Sequence, residues 1–173
     1  MLKVLAAAAA TALFSAQAAW GKAVKLNDAQ IAHIAYTAGT LDVAAGKQAL
    51  AKSHDKAVRD FAQEMVRDHT AVNDQALALV KKLGVTPQDN PTSQALSKDA
   101  GAKLAAYAKL HGKAFDRAYI DNEVAYHKTV NGALSTQLIP DAQNGELKSL
   151  LQTGLKLFEE HQGPAAHLAA KLH

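Results

Sequence analysis

The chain has 173 residues, a formal net charge of +3 and no cysteine. That is one domain's worth of sequence, long enough to bury a core, and the missing cysteines exclude disulfides, a lipid-modified cysteine anchor, c-type haem attachment and thiol catalysis. Lys and Arg alternate with Asp and Glu instead of clustering, which describes a solvated helix surface and not the basic, aromatic-studded stripe of a nucleic-acid binder.

The first stretch, MLKVLAAAAATALFSAQAAWGKAV, has one early positive charge at Lys3, an apolar run from Val4 to Phe14 and the pattern Ala16-Gln17-Ala18. These features predict a secretory signal peptide over 1–18, cleaved after Ala18, followed by a short lead over 19–27 and one domain over 28–173. The apolar run is too short to span a membrane, and no later segment approaches about 18 uninterrupted apolar residues. The expectation is a soluble exported protein, placed in the periplasm, with no transmembrane segment in the mature chain.

The remaining sequence is rich in Ala, Leu, Lys and Gln, a composition that favours helix. Asn27 or Asp28 caps a first helix running to about Lys52, and Asp55 opens a second that reaches Leu83 before Gly84. The segment GVTPQDNPTS at 84–93 is the clearest break, with two prolines among turn formers. A shorter helix is predicted over 94–110 and a third long one over 114–138, closed by Ile139-Pro140. A turn at 141–145 leads into the fourth, 146–172, where Pro164 is expected to kink or break it. Four long helices, two tight hairpins and one long middle connection predict an all-α four-helix bundle with a crossover.

Eight histidines are present, and three fall on apolar stripes at 100° per residue. His69 shares its face with Val58, Phe61, Met65 and Val72, His127 with Ile120, Val124 and Leu134, and His161 with Leu150, Leu157 and Leu168. MVRDHTAVN at 65–73 and EVAYHKTVN at 123–131 repeat one pattern, V-x-x-H-x-x-V-N, which aims an imidazole at the interior twice. Glu123 and Asn131 lie one turn to either side of His127 on the same face. Counting back from a hairpin pivot near 142 sets Glu123 level with His161, with His127 one turn away. Counting from a pivot near 53 sets Asp42 level with Glu64, about 7 Å along the axis from His69. His33, His54, His111, His167 and His173 read as surface or boundary residues. Phe115, Tyr119, Tyr126 and Phe158, at helical spacing, read as core.

Buried imidazoles beside a carboxylate support two readings. One is a hydrogen-bonded polar core, with Glu123, Asn131, Asp68 or a tyrosine as partners. The other is a site for a transition metal, zinc, copper or iron, since imidazole and carboxylate serve all three. In that reading His69, His127, His161 and Glu123 are the ligands, with Asp68, Glu64 and Asp42 as weaker candidates for ligand or support. No catalytic residue is assigned, because the chain has no Gly-x-Ser-x-Gly elbow, phosphate-cradling glycine loop or dinucleotide fingerprint. The metal-free alternative is a structural or protein-interaction module, whose partner the sequence does not name.

The segments AGTLDVAAGKQALAKS, VRDFAQEMVRDHTAVN, AFDRAYIDNEVAYHKTVN and LFEEHQGPAAHLAAKL resemble a bacterial exported helical-bundle family of unknown function. Its members are grouped as ferritin-like and often labelled outer membrane proteins. The likeness covers roughly 28–172 and is most specific at Asp68-His69, at Phe115-Asp116-Tyr119-His127 and at His161. It implies a ferritin-like bundle and an exported location, and no biochemical activity. The family usually has a glutamate four residues before the first-helix glycine, where this chain has Asp42 before Gly46, and the shorter carboxylate reaches less far. No strand pattern of a membrane barrel accompanies the outer-membrane label. A di-iron oxidase of the ferritin type needs Glu-x-x-His on two helices, and that motif is absent from the chain. A mononuclear or weakly dinuclear histidine site fits better.

Overall fold

The computed structural model describes residues 25–173, so the predicted signal peptide and most of the lead lie outside the described residues. Among those described, the chain is helical and contains no strand: α1 (Asp28–Lys52), α2 (Lys56–Leu83), α3 (Pro91–Ala108), α4 (Gly112–Ala133), a π-helical turn (Leu134–Leu138), α5 (Ile139–Asp141) and α6 (Gly145–Leu172). No helix among them is long and apolar enough to cross a membrane.

The ends of the helices follow from capping chemistry. The Asn27 side chain accepts from the Gln30 amide, and Asp55 accepts from Ala57 and Val58. Each satisfies amides that have no partner in a helix's first turn. Gly84 closes α2 at φ 63°, a conformation that costs glycine little. α3 begins at Pro91, not at Gln94: Asn90 caps it, Pro91 occupies the first turn, and Ser93 returns a hydrogen bond to the Asn90 backbone. Residues of the expected loop therefore build the first turn of a helix.

Two other expectations are corrected. α6 runs through Pro164 without a break. The carbonyl that proline leaves without a donor belongs to Glu160, which is exposed and open to water. The third long helix does not continue regularly to Leu138 but widens into the π turn. There the Ile139 amide reaches the Leu134 carbonyl, and the Ser135 and Thr136 hydroxyls donate back to the carbonyls of Asn131 and Gly132. Pro140 follows and can donate no backbone hydrogen bond of its own.

α1 lies along α2 and α4 along α6 as the two most extensive pairings, and α2–α6 and α1–α4 contacts close the set, with α3 laid chiefly against α1. Two apolar clusters fill the interior. One holds Val58, Phe61, Met65, Phe115, Tyr119 and Ile120. The other holds Ile31, Ile34, Leu134, Leu138, Leu147, Leu151 and Phe158. Between them lies a polar layer.

Candidate functional site: a buried histidine–carboxylate cluster

Five ionisable side chains meet in that layer and almost no water reaches them: Asp42 is 2 % exposed, His69 3 %, Glu123 0 %, His127 1 % and His161 3 %. Each long helix contributes. α1 supplies Asp42, α2 His69, α4 Glu123 and His127, and α6 His161. The three rings stand 5.2–5.6 Å apart, centroid to centroid. His33, His54, His111, His167 and His173 are half-buried or exposed, as expected of surface and boundary positions.

His127 is the hub. Its Nδ1 lies 3.0 Å from the Glu123 backbone carbonyl, its Nε2 3.2 Å from His161 Nδ1 and 3.8 Å from Asp42 Oδ2. His161 Nε2 in turn lies 3.1 Å from Asp68 Oδ2, while Arg67 holds the same carboxylate from outside, Nε to Oδ1 at 2.6 Å. His69 Nε2 lies 3.2 Å from Asp42 Oδ2, off the line a hydrogen bond requires, so both atoms lack a hydrogen-bond partner. The His69 ring stacks on Phe158 at 4.3 Å, with 6° between the planes.

These contacts fix the proton positions. A carbonyl only accepts, so His127 carries its hydrogen on Nδ1 and presents a lone pair at Nε2. Partial burial works to raise the Asp68 carboxyl, but hydrogen bonds from Arg67 and His161 outweigh it and hold the group below its ordinary range. Asp68 is thus an ionised acceptor, and His161 carries its hydrogen on Nε2. With both rings neutral, two lone pairs face each other across 3.2 Å. Such an arrangement calls for a cation between them, a proton or a metal ion.

Burial works against the proton on two of the three rings. It lowers His127 to about 4, with the charge of His161 adding to the effect and the hydrogen bond to the Glu123 carbonyl opposing it. It pushes His69 well below the ordinary histidine range, helped by His127 and His161. Burial also raises the Asp42 carboxyl to about 7, and it raises Glu123 well above the usual carboxylate range, where the neighbouring Asp42 adds repulsion.

The residues predicted for the site are therefore drawn together unequally. His69, His127 and His161 each offer a ring nitrogen within 4.8 Å of the others, a set that could hold a metal ion. Glu123 offers a carboxylate oxygen within 4.8 Å of ligand atoms of Asp42 and His127, a second set that could hold a metal ion, and its Oε2 is 3.7 Å from Nδ1 of His127, the nitrogen engaged with a carbonyl. Asp42, ranked last in the sequence, adjoins the free nitrogens of two histidines. Asp68 orients His161 from behind, and Glu64, near Asp68, lies at the outer edge.

Two features of the helices explain the change of rank. Side chains slant toward the N-terminus of their own helix. In an antiparallel pair, Asp42 slants away from the Ser53–Asp55 turn and His69 toward it, which closes the axial gap counted from the sequence. α1 also approaches α2 closely: a methyl at Gly46 would meet Val66 Cγ2 at 2.8 Å and the Ala62 carbonyl at 3.1 Å. The short carboxylate reaches because its helix comes to meet its target. In the other hairpin the same slant, together with the π turn and α5, brings His127 and not Glu123 opposite His161.

The molecule is thus an all-helical protein with a buried cluster of histidines and carboxylates that could hold a metal ion or form a hydrogen-bond network. The chain belongs to the family described as a domain of unknown function, DUF4142, which it matches over residues 13–168. No curated protein matches it, and no solved structure does.

Proposed function

We propose that this protein is an exported, ferritin-like four-helix bundle, with α3 in a long crossover, that holds a transition metal ion in its interior. His69, His127 and His161 are the nitrogen ligands and Asp42 the carboxylate, while Asp68 orients His161 and Glu123 stays neutral beside His127. The role is binding or handling of metal in the cell envelope, with no catalytic step assigned. Export rests on the predicted signal peptide over 1–18, and the periplasm is the compartment it implies.

One observation carries the reading: ring nitrogens of His127 and His161 face each other 3.2 Å apart and buried, each ring held from its far side by another acceptor. Donor atoms of a metal held at about 2.0–2.2 Å stand about 3.0–3.5 Å from one another. The His127–His161 and His69–Asp42 separations, both 3.2 Å, fall in that range, and the His127–Asp42 separation of 3.8 Å lies just beyond it. Asp42 Oδ1 and His69 Nδ1 also lack partners, and leaving polar atoms unsatisfied in a core is costly unless a ligand supplies the missing interaction. Zinc, copper and iron all accept this donor set.

The second reading replaces the metal with a proton. The Arg67–Asp68–His161 chain of hydrogen bonds favours it, since it extends the His127–His161 contact into a continuous network reaching the surface. A metal-free network of this kind would make the protein a structural or interaction module. Element analysis of the tag-free mature protein, prepared with and without air and after loading, separates the two. The metal reading expects about one ion per chain, raised melting temperature on loading, and loss of both in His127→Ala. A chain that stays metal-free under every loading condition, with an unchanged melting temperature, sinks it in favour of the network.

A further inference from the structure

Beside the polar layer lies a cavity of about 50 Å³ among α1, α2, α4 and α6. Small residues line the void, among them Ala32, Ala35, Ala38, Ala76 and Gly154. Its walls are otherwise Val, Ile and Leu, apart from the rings of Phe158 and Tyr126, His69 and Asn73. The Tyr126 hydroxyl is turned to the Ala38 carbonyl at 2.9 Å, and the Asn73 amide faces Thr40 Oγ at 3.4 Å. Tyr126 and Asn73 are thus engaged elsewhere, while His69 keeps Nδ1 without a partner, one polar atom where a water needs at least two.

A water in such a space would need two to four polar partners, and an apolar cavity without them stays dry. Size sets the other limit. A dry cavity of roughly 150 Å³ accepts benzene or xenon, and this one has about a third of that volume. We infer that the cavity is a binding chamber for one small apolar molecule of the size of dioxygen, held beside His69. The His69 ring is shared: it lines the chamber, and its Nε2 lies 3.2 Å from Asp42 in the polar cluster. A neutral diatomic molecule in the chamber is separated from that cluster by a single imidazole. The inference does not depend on a bound metal and is tested on the metal-free chain.

The experiment compares methyl relaxation under dissolved dioxygen in the two apolar clusters. Dioxygen is paramagnetic, so a methyl beside a dioxygen site relaxes faster than an equally buried methyl elsewhere. Ile34, Leu134 and Leu151 line the chamber, and Val58 and Ile120 are buried in the other cluster. The expected result is an enhancement several-fold larger for the first three, with matching methyl shifts when xenon is added. Gly154→Ala places a methyl 3.5 Å from the Phe158 ring and 3.8 Å from Val72, ordinary contacts that the fold accepts. This variant is expected to cut the dioxygen and xenon effects by at least half. Equal enhancement in both clusters, cross-relaxation from water to the chamber methyls, or a stronger response to n-octane than to xenon would each overturn the proposal.

Discussion

The two ends of the interior solve the same problem with different materials. The end nearest the Ser53–Asp55 turn is filled by large side chains, with Phe115 stacked on Tyr119 at 6.3 Å and Phe61 edge-on to the same ring at 6.4 Å. The end nearest the π turn has Ile and Leu on its helices but leaves the cavity between them. Dense packing supplies dispersion contacts that a void forfeits, so one end anchors the fold and the other leaves room. The histidine–carboxylate layer sits at the boundary, braced from the dense side and open to the cavity through His69.

That contrast can be broken, starting with the anchoring end. Phe115→Ala, at a fully buried ring, should lower stability by about 3–5 kcal/mol in denaturant unfolding. A loss no larger than that of Leu151→Ala in the cavity end would erase the distinction. Gly46→Ala tests the close approach of α1 to α2, and overpacking there should cost about 1–3 kcal/mol. Gly101→Ala on α3, where a methyl meets nothing within 4 Å, should cost nothing and serves as its control.

The polar layer has a pH signature. Burial raises Asp42 from 3.8 to about 7, so between those values the folded metal-free protein holds a proton that the unfolded chain releases. The contribution of Asp42 to stability is therefore present at low pH and lost as pH rises through about 7. Asp42→Asn carries no titrating group, and its stability relative to the parent should improve from pH 5 to pH 8 by about 1–3 kcal/mol. Glu123, which Asp42 helps to push up, should relax toward its ordinary range in the variant and add to the change in the same direction. Urea midpoints at the two pH values measure it, and a relative stability that does not change would remove the raised Asp42 from the account. The smallest effect is expected at the loose end, where Gly154→Ala, like Gly101→Ala on α3, should raise the unfolding free energy by about 0.5–1 kcal/mol through helix propensity.

Much of this was readable from residues alone, and the failures have physical causes. The ends of α1 and α2 were visible because Asn27, Asp55 and Gly84 are local signals that act within one turn. The start of α3 is less legible, because the Asn90-Pro91 and Ser93 capping arrangement sits in a proline-rich segment whose composition reads as loop. The inward face of each histidine followed from periodicity, which tertiary contacts do not alter. Height along the axis did not follow, because it depends on side-chain slant and on a π turn that shifts register. Asp42 was undervalued for the same reason, and because its reach depends on how closely Gly46 lets two helices approach. The cavity had no sequence signal, since it is the sum of small residues on separate helices.

The His127 ring is pinned by a carbonyl of its own helix, one turn back, and His69 is clamped flat against Phe158. Both are seated before any visitor arrives. Occupancy would thus leave the outer contour of the molecule unchanged, and a docking protein could not tell a full copy from a vacant one.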